Sequence, residues 1–547
     1  MKTFRTFTRS KACDEKYIFA RSLRGSARRT NSSSNNLMMH PPGRHPHGMK
    51  IDFSHLDNNV EALNRFTSGR WLWREQEQLA CRYLKFDPSK LLDIAASATD
   101  SKKCVQVVKV TEGQYNKVFL LTMDDGHEVI VKLSNPNAGR AHFTTASEVA
   151  TMDFLRNVLQ LPVPRVHSWK YIIMEKQRGV MLSDAWKTMK GKQKAHLILQ
   201  IVTIEKSLAT TKFTKYGSLA YQSPLFFDFG RGNLCIDRGP WSTAGDCMKS
   251  IAIREMEATK ANLKYPLTPE GLFYGPRQYQ PSGVKKLSAL EIYLKVAPYV
   301  LPENTATHAS ILWHSDLNLQ NIFVDPENPG QILGIIDWQS VSASPLFTQV
   351  TRPAFLEYNG PLPETLAKVN LPEKFDSLDA EEQRKAKALH QAQTLHNLYL
   401  AQSLKHNPAA FQAIKGQSSL RHQVSVTPGL TIMDYEPYLT SLLRDVEETW
   451  VDIVGTGPDA VPCPFEFSAA EIKEQEADED LWAQGVQLMD EFVKDTGGFK
   501  HWDGRVTDAD YEISRREFDE GIERFLGREA RNDEEMKAWL EALPFVD

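Results

Sequence analysis

The sequence predicts an α+β chain of two lobes, a small antiparallel-sheet lobe followed by a larger, mostly helical lobe, with helical N- and C-terminal extensions. Three observations predict it. Apolar side chains recur at helical spacing over residues 51–100, the period drops to two over residues 105–133, and helical spacing returns from about residue 185. Within the β-rich stretch, Val105–Val110 and Lys117–Met123 flank residues 111–116, and Asp124-Asp125-Gly126 leads into Glu128–Leu133. Asp-Gly between two such runs is a hairpin signal. The 547 residues, 41% hydrophobic and 24% charged, suit a globular chain of two to four folding units.

The first 29 residues hold Lys2, Arg5, Arg9, Lys11, Lys16, Arg21, Arg24, Arg28 and Arg29 against Asp14 and Glu15, and a Ser/Thr/Asn-rich stretch, Thr30–Asn36, follows. A basic, Ser-rich, acid-poor leader is the composition of a mitochondrial transit peptide, a substrate for the mitochondrial import machinery. A disordered basic tail is the plainer alternative. Pro41–Gly48 reads as a flexible join, so residues 1–48 form leader and linker and residues 49–103 a helical extension. Trp71, Trp73, Leu79 and Leu84 give that extension a buried face.

Residues 104–176 form the small lobe. After its three strands a helix begins near Thr145, with Glu148, Met152, Leu155 and Leu159 on one face; Pro162 and Pro164 stop it, and Lys170–Met174 is a further strand. Residues 177–455 form the large lobe. Leu197, Ile198, Ile201, Ile204 and Leu208 make one helical stripe, and two short strands, Asn321–Val324 and Ile332–Ile336, interrupt the helices. An Asp379-x-x-Glu382 capping box restarts the helices, which run on through Tyr438–Trp450. A second box, Ser468-x-x-Glu471, opens the acidic extension, residues 456–547, where residues 471–495 carry nine acidic side chains against two lysines. The bland expectation there is a solvated helix packed through Trp482, Val486 and Met489. A sharper one has Glu474, Glu476 and Asp478 leaning over a cleft to attract a cationic substrate.

A formal net charge of −4 gives no reason to expect nucleic acid as a partner. No apolar run approaches the roughly 18 residues of a membrane-spanning helix, so no transmembrane segment is expected. Six scattered cysteines without a CxxC pair read as reduced structural thiols.

The chemistry concentrates in His314-Ser-Asp-Leu-Asn-Leu-Gln-Asn321 and in Asp337 of Ile-Ile-Asp-Trp. Phosphoryl transfer needs oxygens that hold magnesium and a carboxylate beside the attacking hydroxyl. Asp316 suits the hydroxyl. Asn321, five residues on, and Asp337, at the end of the next strand, suit the metal. His314 reads as a packed prop for the loop. Upstream, Lys132 ends the apolar Val129-Ile-Val strand, the setting in which a lysine grips α/β-phosphates. Glu148 is its natural ion-pair partner, although Thr145-Ala-Ser-Glu148 is also a capping box. Gly113 with Asn116 would form a phosphate-covering hairpin, and main-chain groups around Glu175 and Lys176, after the strand Tyr171–Glu175, would read adenine.

Lys132, Glu148, Met174-Glu175, His314-x-Asp316-x-x-x-x-Asn321 and Ile336-Asp337-Trp338 together resemble the aminoglycoside phosphotransferase family, whose fold is protein-kinase-like. The resemblance covers roughly residues 105–345. It implies ATP and Mg2+ as cofactors, Asp316 as catalytic aspartate, Asn321 and Asp337 as metal ligands, Lys132 and Glu148 as the nucleotide pair, and a hydroxyl-bearing small molecule as acceptor. Ser315 departs from the family's His-Gly-Asp. The block Phe66-Thr-Ser-Gly-Arg-Trp-Leu-Trp73, with Glu75, Arg82 and Trp502-Asp-Gly504, looks like the fungal branch called altered inheritance of mitochondria proteins. Two functions follow as expectations: an active phosphotransferase, or a retired nucleotide-binding module that holds partners. A protein kinase is disfavoured, because Asp337 is followed by Trp338 rather than Phe-Gly, and no Ala-Pro-Glu closes an activation segment.

Overall fold

The computed structural model describes residues 49–51, 56–110, 112–139, 141–169, 171–219, 234–261, 270–358, 369–456, 461–497 and 503–546. The basic leader and Trp502 lie outside them.

The N-terminal extension contributes strand β1 (Met49–Ile51), helix α1 (Leu56–Asn64), strand β2 (Arg70–Trp71) and helix α2 (Pro88–Ala98). The small lobe adds β3 (Cys104–Lys109), β4 (Asn116–Met123), β5 (Glu128–Ser134), helix α3 (Ala141–Asn157), β6 (Val166–Ser168) and β7 (Ile172–Glu175). Six of these strands form one antiparallel sheet in the order β1-β3-β4-β5-β7-β6. Strand alternation sends Phe119, Leu121 and Met123 of β4 and Val129, Val131 and Leu133 of β5 to one face, where Leu91, Ala95 and Ala96 of α2 cover them. The intervening Lys132 is thereby left to the other side.

The large lobe carries β8 (Val180–Met181), α4 (Gly191–Thr210), α5 (Gly283–Val296), β9 (Ile322–Val324), β10 (Ile332–Ile335), α6 (Ala380–His406) and α7 (Glu436–Glu448). Leu197, Ile198, Ile201 and Leu208 of α4 join Ile322, Val324, Ile332 and Ile335 of the β9–β10 hairpin in the largest apolar cluster, and Ile204 packs against it. The C-terminal extension folds as α8 (Ala469–Asp495), β11 (Arg505–Val506), α9 (Tyr511–Glu529) and α10 (Asp533–Ala542). Both expected capping boxes form, at Asp379/Glu382 and Ser468/Glu471.

Two expectations are corrected. The extension before residue 104 is not wholly helical: Trp71, Leu72 and Trp73 are all buried in succession, which no one-sided helix allows. β2 pairs antiparallel with β11, Trp71 opposite Arg505. Leu72 and Trp73 enter the apolar cluster of the C-terminal extension, where Trp73 stacks on Phe518 at 5.3 Å and meets Phe545 edge-on at 4.8 Å. Leu79 and Leu84 are only half-buried. The second correction concerns the acidic helix α8. Its apolar face packs as expected through Trp482, Val486, Met489 and Phe492. Three of its carboxylates, however, engage cations of the large lobe: Glu474 and Asp478 pair with Lys285 on α5, and Glu479 lies 2.6 Å from Arg444 on α7. Carboxylates expected in water are thus paired with the helices beneath them, although Glu474 stays largely exposed.

Candidate nucleotide and phosphotransfer site

Lys132 joins the two lobes. Its Nζ lies 2.7 Å from Glu148 Oε1 on α3 and 2.7 Å from Asp337 Oδ1, just beyond the β9–β10 hairpin. Burial opposes a charged lysine, but Asp337 and Glu148 together outweigh it and hold the amine protonated, above its ordinary range. Helix α3 starts at Ala141, four residues before Thr145, so Glu148 sits inside the helix and closes no helix end.

The loop after Trp313 is built from its own side chains. His314 is buried; its Nδ1 accepts the Asp316 N–H at 3.2 Å, its Nε2 meets the Ile336 carbonyl at 3.0 Å, and its ring stands edge-on to Trp338 at 4.6 Å. These partners assign the Nδ1 acceptor tautomer, and burial pushes the imidazole pKa down, so the ring is a neutral prop. Asn318, which the sequence reading did not single out, accepts the N–H groups of Gln320 and Asn321 at 2.8 and 3.2 Å and donates to Asp316 Oδ2 at 3.0 Å. Asp-x-Asn inside the motif was the available signal, since Asn side chains close such turns. Asn321 donates its amide to the Asp316 carbonyl at 2.8 Å, which leaves the amide oxygen as its acceptor end. Ile322 pairs with Ile335, and the Ile336 N–H donates to the Asn321 carbonyl at 2.9 Å, so the hairpin register puts Asn321 and Asp337 at the same end.

Asp337 has a left-handed backbone, φ 65°, as does Ser340 at 62°. Such residues cost on the order of 1–3 kcal/mol and cluster at functional sites. Burial pushes the Asp316 carboxyl up to about 6, helped by Asp337 and opposed by the hydrogen bonds from Asn318 and Asn321.

Over the cleft, Asn116 donates to Gln339 Oε1 at 2.7 Å, a second tie between the lobes and one unread in the sequence. Gly113 has an ordinary φ, and a methyl group there would meet nothing nearer than the Asn116 carbonyl at 4.0 Å. Glu175 stands apart from this group. Its N–H donates to the Arg165 carbonyl at 2.8 Å and its carboxylate lies 3.4 Å from Arg156. Ser315 is exposed and its backbone lies outside the left-handed region, so its side chain brings neither crowding nor strain.

Behind His314 lies a cavity of about 10 Å³ lined by Glu205, Trp313, Leu317 and Trp338. Glu205 is fully buried; Tyr399 on α6 donates to it at 2.9 Å, and burial pushes its carboxyl up to about 8. A folded pKa above the ordinary 4.5 gives stability that is complete below pH 4.5 and lost as pH rises through about 8. Glu205→Gln is expected to flatten the fall in Tm between pH 5 and pH 9. A profile identical to wild type would contradict the buried neutral carboxyl.

A small antiparallel-sheet lobe joined to a mostly helical lobe, with Lys132 bridging Glu148 and Asp337 between them, makes this a chain of kinase-like fold. No family model matches the chain. It belongs to the family of a subtelomeric hrmA-associated cluster protein of Aspergillus fumigatus, to which it is 30% identical over 451 residues, 71% of this chain and 86% of that protein. Altered inheritance of mitochondria protein 9 is a more distant relative. The Yarrowia lipolytica protein is 23% identical over 372 residues, 56% of this chain and 62% of its own, and the Eremothecium gossypii protein 21% over 418, 64% of each. Among solved structures, the gentamicin complex of APH(2″)-IIa matches at TM-score 0.31 and 14% identity, over 66% of this chain and 97% of that one. Macrolide 2′-phosphotransferase type I matches at TM-score 0.32 and 14% identity, over 66% and 96%.

Proposed function

We propose that this chain is an ATP-dependent phosphotransferase that moves the γ-phosphate to a hydroxyl of a small-molecule acceptor, and that it works in mitochondria. One observation carries the catalytic part: Lys132 is held protonated between Glu148 and Asp337, across from a loop that presents Asp316 and Asn321. The two acidic contacts fix the ammonium between the lobes, where the α/β-phosphates of ATP would lie. Asp337 and Asn321 fit Mg2+, since both offer hard oxygens and magnesium is commonly held by one or two protein groups plus phosphates. When bound, the metal neutralises charge on the transferring phosphates. Asp316, braced by Asn318, orients the acceptor hydroxyl and takes its proton.

The second reading, a retired nucleotide-binding module, draws on Ser315 and the glycine-poor hairpin. Exposed Ser315 and the open space around Gly113 weaken both grounds. Mitochondrial residence is supported by the basic leader and by the relatives named as mitochondrial.

Incubating the purified protein with γ-labelled ATP and a fractionated mitochondrial metabolite extract is expected to label a small molecule. Binding of Mg-ATP without transfer would favour the retired module, and absence of binding would overturn both. Mass spectrometry of the organelle-purified protein is expected to find an N-terminus downstream of Arg29; a full-length mitochondrial form contradicts cleavage of the leader.

A further inference from the structure

The conspicuous block at residues 66–73 and its counterpart at Gly504 have no part in the phosphotransfer chemistry, yet they converge on the hairpin above it. The point of convergence is Glu112, between β3 and β4, one residue before Gly113. It is wholly buried, and both carboxylate oxygens and both main-chain polar atoms are engaged. Oε1 lies 2.6 Å from Lys117 Nζ, and Oε2 lies 3.1 Å from Lys109 Nζ and accepts the Thr67 N–H at 2.6 Å. The Glu112 N–H donates to Ser68 Oγ at 3.0 Å, and its carbonyl accepts from Arg505 of β11 at 3.1 Å.

Two buried lysines against one carboxylate leave a surplus positive charge. The carbonyls at the C-terminal end of α1 meet it: Lys109 donates to Ala62 and Arg65 at 2.9 and 2.7 Å, and Lys117 to Arg65 at 3.1 Å. The negative end of a helix suits that cation. Burying three charges is costly, so such a cluster is weak evidence for stability and better evidence for a fixed arrangement. The approach of the two extensions is itself tight. A Cβ on Gly69, whose φ is +132°, would lie 2.4 Å from the Val506 carbonyl, and one on Gly504 would lie 2.5 Å from the Trp73 ring. Farther along the hairpin, Asn137 donates to the Gln114 carbonyl at 3.1 Å and the Asn135 N–H to that of Tyr115 at 2.8 Å.

We infer that Glu112 is a positioning residue for the nucleotide site, through which residues 66–73 and 503–506 hold the Gly113–Asn116 hairpin in the shape that receives the ATP phosphates. This rests on the phosphotransferase reading. A hairpin with several glycines can wrap phosphates after they arrive; this one has a single glycine and is set in advance. Preorganisation of that kind lowers the ordering cost of binding.

The full chain, with Glu112→Gln, Arg505→Met and Ser68→Ala variants, would be titrated calorimetrically with Mg-ATP and separately with adenosine, after melting has identified the folded variants. Adenosine lacks the phosphates the hairpin would touch. Glu112→Gln is expected to weaken Mg-ATP at least tenfold and adenosine less than twofold, with faster amide exchange at Gly113–Tyr115. The milder Arg505→Met and Ser68→Ala should shift the same ratio threefold or more, which keeps the test alive if Glu112→Gln fails to fold. Unchanged Mg-ATP affinity in the folded variants, or equal loss of ATP and adenosine, overturns the inference. Absence of Mg-ATP binding in the wild type would instead overturn the nucleotide site itself and remove this inference with it, whereas binding without transfer would overturn the phosphotransferase reading alone.

Discussion

Asp337→Ala is expected to erase the thermal stabilisation that Mg-ATP confers, while the unliganded protein melts within a few degrees of wild type. The carboxylate is the only charged member of the proposed metal pair, so its loss removes the attraction that a neutral amide cannot replace. Lys132 keeps Glu148 at 2.7 Å, so no buried cation is left alone by the substitution. Alanine is poorly suited to φ 65° at this position, whereas asparagine tolerates it; Asp337→Asn therefore separates charge from backbone strain. At a ligand concentration about 100 times Kd, binding stabilises by about 2.7 kcal/mol, and this is the quantity that should vanish in both variants. Asn321→Ala should reduce it without abolishing it. Unchanged shifts in Asp337→Ala and Asn321→Ala together would sink the metal assignment.

Asp316→Asn is expected to lower kcat by at least two orders of magnitude with the Kd for Mg-ATP changed less than about twofold. The side chain works on the acceptor hydroxyl, whereas Lys132 of the small lobe, together with Asp337, serves the nucleotide. Its titration adds two signs that can be checked. A base must be ionised to work, so wild-type turnover should rise with pH through about 6, the value to which burial pushes this carboxyl. Because the folded pKa lies above the ordinary 3.8, ionisation in the fold is unfavourable: the associated stability is complete below pH 3.8 and lost as pH rises through about 6. Asp316→Asn should thus melt no lower than wild type at pH 8. Near wild-type turnover in the variant would refute the role.

Much of this was legible from local pattern. The three small-lobe strands fall within a residue or two of where the period-two runs put them, because alternation along a strand is a short-range property. Both capping boxes involve residues three apart and close as read. The loop carrying Asp316 and Asn321 is likewise local. Helix α3 begins four residues early because Thr145-Ala-Ser-Glu148 mimics a start that the chain does not use: Glu148 has a better partner in Lys132, supplied by the sheet.

What the sequence by itself determined is the set of short-range elements and the chemical types at the site: a lysine on a strand, a glutamate on the next helix, and an Asp/Asn loop followed by a hairpin. Only the tertiary structure decided which groups meet. Trp71 faces Arg505 across a strand pair whose members lie more than 400 residues apart, and nothing in the local period of either segment names the other as its partner. Asn116 finds Gln339, and Glu112 finds Thr67, Ser68 and Arg505, through close packing of distant segments. The carboxylates of α8 face Lys285 and Arg444 because the apolar face of that helix fixes its rotation on the large lobe. Periodicity records which side of an element is buried. It carries no information on the partner, since apolar burial is non-directional and the choice is made by shape and by the pairing of the few charges that must go inside with it.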